Sequence, residues 1–161
     1  MRGAGYENRY GSDHAGFSLK REIARVLKGQ GHEIEDFGAY SEDAVDLSDQ
    51  VCPAALAVGE GRAERGIFVD GVGYGSALIA NRIYGVYAAV CQDPFCAGLA
   101  RSHSDTNVLC IGGKIIGSAT RPRGGEDLDE HGISRRRGEV QRRVDKVREI
   151  SRRHLKPLPV E

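Results

Sequence analysis

The chain has 161 residues, 40% of them hydrophobic, which suits one domain with its own core. Its 23 basic and 23 acidic residues cancel, and that balance argues against a general nucleic-acid or membrane-surface binder. No apolar run reaches the length of a membrane span, and no signal peptide is visible at the N-terminus.

Residues 1–10, MRGAGYENRY, are polar and do not read as a strand. Residues 11–17, GSDHAGF, nevertheless look like a strand-to-helix turn. A helix is expected over 17–28, with Phe17, Leu19, Ile23, Ala24 and Leu27 as its apolar stripe, ended by Gly29 and Gly31. Residues 32–37 alternate polar and apolar, as an edge strand does. After a polar loop, a Val- and Ala-rich helix is expected over 47–59.

Residues 66–81, GIFVDGVGYGSALIAN, organise the chain. A buried strand ends abruptly in Asp70, and Gly71, Gly73 and Gly75 alternate before Ser76 and a helix. Such a turn is either a ready anion site or a plain glycine-rich connection. A buried strand follows over 86–91, then a helix opened by Asp93-Pro94 and running to about Ser102. A strand over 107–111 ends in Gly112-Gly113, and Lys114 to Ala119 begins another helix. The expected domains are an α/β core over 1–119, a polar loop or disordered segment over 120–138, and a helix with an extended tail over 139–161. In that helix Val140, Val144, Val147 and Ile150 are spaced for packing on the domain or on a partner subunit. Strands alternating with helices imply a parallel sheet covered on both faces, with any ligand at the strand C-termini. The four cysteines, Cys52, Cys91, Cys96 and Cys110, lack CxxC or zinc-like spacing, so reduced core thiols in a cytoplasmic protein are expected.

Several residues could carry chemistry. Asp13-His14 sets a carboxylate beside an imidazole in a turn, although Asp13 could equally serve as a helix cap. His103 closes the helix after Pro94, where a cation is favoured by the helix dipole whatever its function. Asp70, directly after an apolar strand, suits proton transfer. Lys114 suits phosphate, or is simply solvated. A nucleotide-binding reading lacks both GxGxxG and GKS/T.

Three segments together resemble the type B ribose-5-phosphate isomerases, a family that includes the galactose-6-phosphate isomerase subunits. They are GSDHAGF at 11–17, DGVGYGSALIANR at 70–82 and RSHSDTNVL at 101–109. The resemblance implies a flavodoxin-like (Rossmann-type) sheet, no metal and no organic cofactor. It implies a homodimer or dimer of dimers with active sites shared between subunits and a C-terminal helix used in dimerisation. The reaction it implies is aldose–ketose isomerisation of a phosphorylated sugar. His103 matches the ring-opening histidine, Asp13 and His14 match residues holding the sugar and its phosphate, and Gly71, Gly73 and Gly75 match the anion hole of the enediolate. Lys114 and Arg143 match basic phosphate-binding positions.

The chain also departs from the pattern. Asp70 stands where many relatives have a cysteine base, and Ser76 where others have a glutamate. Asp70 is then the expected base through a cis-enediol, with Ser76 a hydrogen-bonding partner of the substrate. Leu47-Ser48 replaces Tyr-Pro, and Glu139 and Val140 replace the first two residues of an Arg-His-x-x-Arg pattern. The variation around the base suggests a substrate other than ribose 5-phosphate, such as a four- or six-carbon sugar phosphate. The departures leave a non-catalytic sugar-phosphate binding protein as the alternative.

Overall fold

The computed structural model describes residues 6–116 and 137–157. Five parallel strands form one sheet: β1 (Glu7–Ser12), β2 (Glu33–Asp36), β3 (Arg65–Asp70), β4 (Ala88–Val90) and β5 (Val108–Gly112), in the order β2-β1-β3-β5-β4. The described helices are α1 (Phe17–Gln30), α2 (Leu47–Gly59), α3 (Tyr74–Ala80), α4 (Pro94–Ser104) and α5 (Arg137–His154). The α/β flavodoxin-like fold is thus present, with helices on both faces.

Strand order dictates which face each helix covers. The crossovers from β1 to β2 and from β4 to β5 step one way along the sheet. Those from β2 to β3 and from β3 to β4 step the other way. Right-handed crossovers therefore put α1 and α4 on one face and α2 and α3 on the other. The cores agree. Leu19, Ile23 and Leu27 of α1 and Ala97 of α4 pack with Ile67, Val69, Leu109 and Ile111. Val51, Ala54, Ala55 and Val58 of α2 and Ala80 of α3 pack with Phe68, Val108 and Cys110. Alternate residues of β3 and β5 thus feed opposite cores, as the period of two requires.

The polar opening of the chain is a strand, contrary to the sequence reading. β1 lies between β2 and β3, so its backbone is paired on both sides. Tyr10 is buried under α1. Arg9 Nε lies 2.9 Å from a Glu35 oxygen, which neutralises a charge that sequence hydropathy counts against a strand. Tertiary pairing here outweighs propensity.

Other expectations are corrected. β4 is a three-residue, half-buried edge strand rather than a buried run over 86–91. Residues 113–115 form a turn where a helix was expected to begin at Lys114, and residues 117–119 lie outside the described residues. Of the three cysteines expected in or beside apolar segments, two are buried (Cys91 and Cys110); Cys52 is partly buried and Cys96 is exposed. The expected polar segment over 120–138 lies outside the described residues except for 137 and 138, which begin α5. Ile150 is exposed, and the side chains of Val140, Val144 and Val147 lie outside the described residues.

A buried cation escaped the sequence reading. Lys20 of α1 donates to Asp36 Oδ1 at 2.5 Å and to the Ala39 carbonyl at 2.7 Å. Burial lowers its pKa, against the opposing pull of Asp36. The same Asp36 oxygen accepts from Gly38 N, and Ala39 N donates to the Ser12 carbonyl. The pair thereby braces the end of β1, immediately before Asp13.

Candidate active site

Three turns meet at the C-terminal edge of the sheet, where the order reverses between β1 and β3. They follow β1 (residues 13–16), β3 (71–76) and β5 (113–115). Gly113 N donates to the Asp70 carbonyl at 2.7 Å and Lys114 N to the Gly71 carbonyl at 3.0 Å. The Lys114 stem passes over Gly71, and a Cβ at Gly71 would meet Lys114 Cδ at 3.7 Å and Ala15 Cβ at 3.8 Å. Asp13, His14, Asp70, the glycine turn and Lys114 therefore belong to one edge of one chain.

Asp70 is the hub of the β3 turn. It is 3% exposed. Its Oδ1 accepts from Val72 N at 2.8 Å and from Gly73 N, and its Oδ2 accepts from Ser76 N at 2.7 Å and Ser76 Oγ at 3.0 Å. Four donors on one carboxylate satisfy a group whose burial would otherwise be costly. They also fix the loop that launches α3. Gly73 has φ +85°, a conformation that L side chains rarely adopt, and a Cβ there would press on Val90 Cγ1 at 3.0 Å. Ser76 is fully buried with its hydroxyl on Asp70, so the contact observed for it is Asp70 and not the mouth of the site.

The remaining candidates sit as follows. Asp13 Oδ1 accepts from Gly16 N at 2.9 Å, which leaves its second oxygen outside that turn. His14 and Lys114 are exposed. Two further residues shape the site: the sequence places Gln92 at a strand C-terminus and, through the family resemblance, Leu47 at a wall of the sugar pocket, but gives neither its contact. Gln92, after β4, donates from Nε2 to the Val72 carbonyl at 2.8 Å and accepts from Gly112 N at 3.1 Å, tying the β3 and β5 turns together. Leu47, at the start of α2, leans on the glycine turn: a Cβ at Gly75 would meet Leu47 Cδ2 at 2.8 Å and Asp70 Oδ2 at 3.0 Å. Neither contact is legible in the sequence, because both arise from folding that brings separate elements together.

His103 is not at this edge. α4 leaves the C-terminal end of β4 and returns the chain to the start of β5. The rise from Pro94 carries His103 about 14 Å along the helix, to the opposite end of the sheet. There His103 is exposed, with Nδ1 2.9 Å from Ser102 Oγ. α5 lies against α4. Arg143 is on α5, and its side chain lies outside the described residues.

Among the described residues no group of three His, Cys, Asp or Glu side chains could hold a metal ion, and no helix is long and apolar enough to cross a membrane. Each chain therefore carries two separate sets of polar groups. One is the set of turns at the C-terminal edge around the buried Asp70 carboxylate, and the other is an imidazole beside an arginine-rich helix.

The model of a family described as Ribose/Galactose Isomerase matches residues 9–147. The ribose-5-phosphate isomerase B of Escherichia coli (strain K12) is 41% identical over 108 residues, covering 67% of this chain and 72% of the relative. A 4-deoxy-4-sulfo-D-erythrose isomerase of Clostridium sp. (strain MSTE9) is 39% identical over 107 residues, 66% of this chain and 67% of the relative. Among solved structures, a ribose-5-phosphate isomerase B of Clostridium thermocellum aligns with TM-score 0.86 at 35% identity, over 92% of this chain and 99% of that one. One from Mycoplasma genitalium with bound ribulose-5-phosphate aligns with TM-score 0.85 at 29% identity, over 92% and 98%.

Proposed function

The chain belongs to the ribose/galactose isomerase family, and from that premise we propose that it interconverts the aldose and ketose forms of a phosphorylated sugar through a cis-enediol. The substrate is ribose 5-phosphate or a four- or six-carbon relative. The observation that carries this reading is the convergence of Asp70, the glycine turn, Asp13-His14 and Lys114 on one crevice.

Asp70 is the base that moves the proton between the two carbons. To take that proton, one of its oxygens gives up a turn hydrogen bond, and Ser76 Oγ is the most readily rotated of its four donors. Backbone N–H groups of the glycine turn, Gly71 and Gly75 foremost, stabilise the enediolate, because the Gly73 N–H is already held by Asp70. Asp13 and His14 hold the sugar, and Lys114 takes the phosphate with Arg143. His103 opens the sugar ring as acid and base. The same four hydrogen bonds favour one narrower alternative, in which Asp70 only caps the turn and the chain binds sugar phosphates without turning them over.

The distance between His103 and Asp70 along the fold favours a homodimer, or dimer of dimers, in which His103 of one subunit completes the crevice of the other. Exposed Phe95 and Leu99 on α4 and Tyr74 and Leu78 on α3 offer apolar area for such an interface. A cytoplasmic location belongs to the same reading and suits its free cysteines.

Mixing tests both the residues and the sharing. Asp70→Asn and His103→Asn homodimers are each expected to be inactive on ribose 5-phosphate, which must be ring-opened. Refolded together in equal amounts, half the dimers are mixed and each mixed dimer holds one intact site, so about a quarter of wild-type activity returns. If mixing restores nothing, while mixed dimers are present by native mass spectrometry, the shared site is wrong.

A further inference from the structure

Two residues after His103, Asp105 adopts a left-handed conformation (φ 52°), and it is the one non-glycine residue with positive φ among the described residues. It ends α4, its N–H donating to the Arg101 carbonyl at 3.2 Å. Its carboxylate is held from both sides. Arg101 of α4 donates to Oδ1 at 2.5 Å, and Arg148 of α5 donates to Oδ2 at 2.5 Å. Arg101 also reaches the Thr106 carbonyl at 3.0 Å, so one guanidinium spans the whole helix end. Asp105 and Arg101 are largely buried, with side chains 14% and 13% exposed. Charge-assisted bonds in such a site are stronger than a surface ion pair.

Arg101 lies two residues before His103 and Asp105 two residues after it. Fixing both fixes the last turn of α4, from which the imidazole projects on an otherwise exposed helix end. A helix C-terminus without such bracing frays. The second bond comes from α5, which belongs to no strand crossover of the sheet. We propose that Arg101, Asp105 and Arg148 form a clasp that positions His103, so that α5 acts on the chemistry through Arg148. All three are positioning residues; none touches the sugar. The proposal rests on the reading of His103 as the ring-opening group.

That reading supplies a discriminating assay. Ribose 5-phosphate closes a furanose ring through its free O4. Erythrose 4-phosphate carries its phosphate on that oxygen, cannot form the five-membered ring, and needs no ring opening. Misplacing His103 therefore penalises the first substrate and spares the second, whereas a loss of overall fold penalises both. Arg148→Met keeps the apolar stem and removes the clasp's outer half. It is expected to lower kcat/KM for ribose 5-phosphate by about 10-fold or more, a scale typical of a misplaced catalytic group, with erythrose 4-phosphate changed less than about twofold. Arg148→Lys is expected to recover part of the loss. Asp105→Asn, which tolerates the left-handed conformation, is expected to show the same selectivity more strongly.

His103→Asn, assayed alongside, separates the two claims. If His103→Asn is selective against the cyclic substrate and Arg148→Met is not, the clasp is overturned and ring opening by His103 stands. If His103→Asn depresses both substrates equally, the ring-opening assignment falls. An Arg148→Met protein that loses both activities in parallel, or neither, overturns the clasp in every case.

Discussion

Asp70→Asn is expected to lower isomerisation by about 10²–10⁴-fold, the usual contribution of a positioned acid–base group. The substitution is nearly isosteric, yet it also disturbs the turn. Asp70 accepts four hydrogen bonds, from three backbone N–H groups and the Ser76 hydroxyl. An asparagine has one accepting oxygen and presents an NH₂ to two of those donors. Each buried donor left unpaired costs about 1–3 kcal/mol. The variant should therefore lose stability as well as rate, and the two must be measured separately. Denaturant unfolding reports the first. Thermal stabilisation by a sugar phosphate, which requires a formed crevice, is expected to persist. A variant that folds, binds and still turns over near the wild-type rate removes Asp70 from the role of base and leaves it as the cap of its turn.

Gly16→Ala is expected to give the largest loss of stability from a single methyl group. Gly16 starts α1 hard against the central strand: a Cβ there would stand 1.9 Å from the Val69 carbonyl oxygen and 2.4 Å from its carbon. Both are backbone atoms of β3, with no flexible side chain to swing away. α1 or β3 must move by an ångström or more. Overpacking usually costs about 1–3 kcal/mol and occasionally more, and we expect about 3 kcal/mol or above, a fall in Tm of roughly 10 °C for a chain of this size. Because Asp13 and His14 lie three and two residues before Gly16 and Asp70 directly follows Val69, the same displacement opens the crevice. Catalytic efficiency should fall in the protein that remains folded. A Gly16→Ala protein as stable as wild type contradicts the close contact of α1 with β3.

How much of this was legible beforehand depended on whether the signal was local. α2 was read at the bounds observed, Leu47–Gly59, because its Val and Ala run and flanking polar residues are local features. The strand ending in Asp70, its glycine turn and the helix opened by Asp93-Pro94 were legible for the same reason, and the Asp93 side chain caps α4 by accepting from Cys96 N. β1 was not legible. Its stability comes from two neighbouring strands and from Glu35, none of them nearby in sequence. β4 was read as too long and too buried because an edge strand and a central one share the same composition. At the site, GSDHAGF and the glycine turn after Asp70 are legible as turns at strand ends, whereas the polar turn expected at 101–105 is the last turn of α4, which runs to Ser104; their mutual placement belongs to topology. The sequence does put His103 at the end of the helix after Pro94, but nothing in RSHSD says that this end lies away from Asp70. Nor does any motif announce that Gln92 bridges two turns, that Leu47 leans on Gly75, or that Lys20 is buried on Asp36.

The central claim is chemical: a carbon-bound proton of a phosphorylated sugar exchanges on this protein. The direct measurement is NMR of four-, five- and six-carbon aldose and ketose phosphates in deuterated water with the purified wild-type chain. Loss of the proton signal at the carbon beside the carbonyl of at least one of them, with conversion between its aldose and ketose forms, is the predicted result and identifies the substrate class at once. A folded protein that is stabilised by these sugar phosphates yet exchanges no proton in any of them would contradict the isomerase account and leave a binding protein built on an isomerase fold.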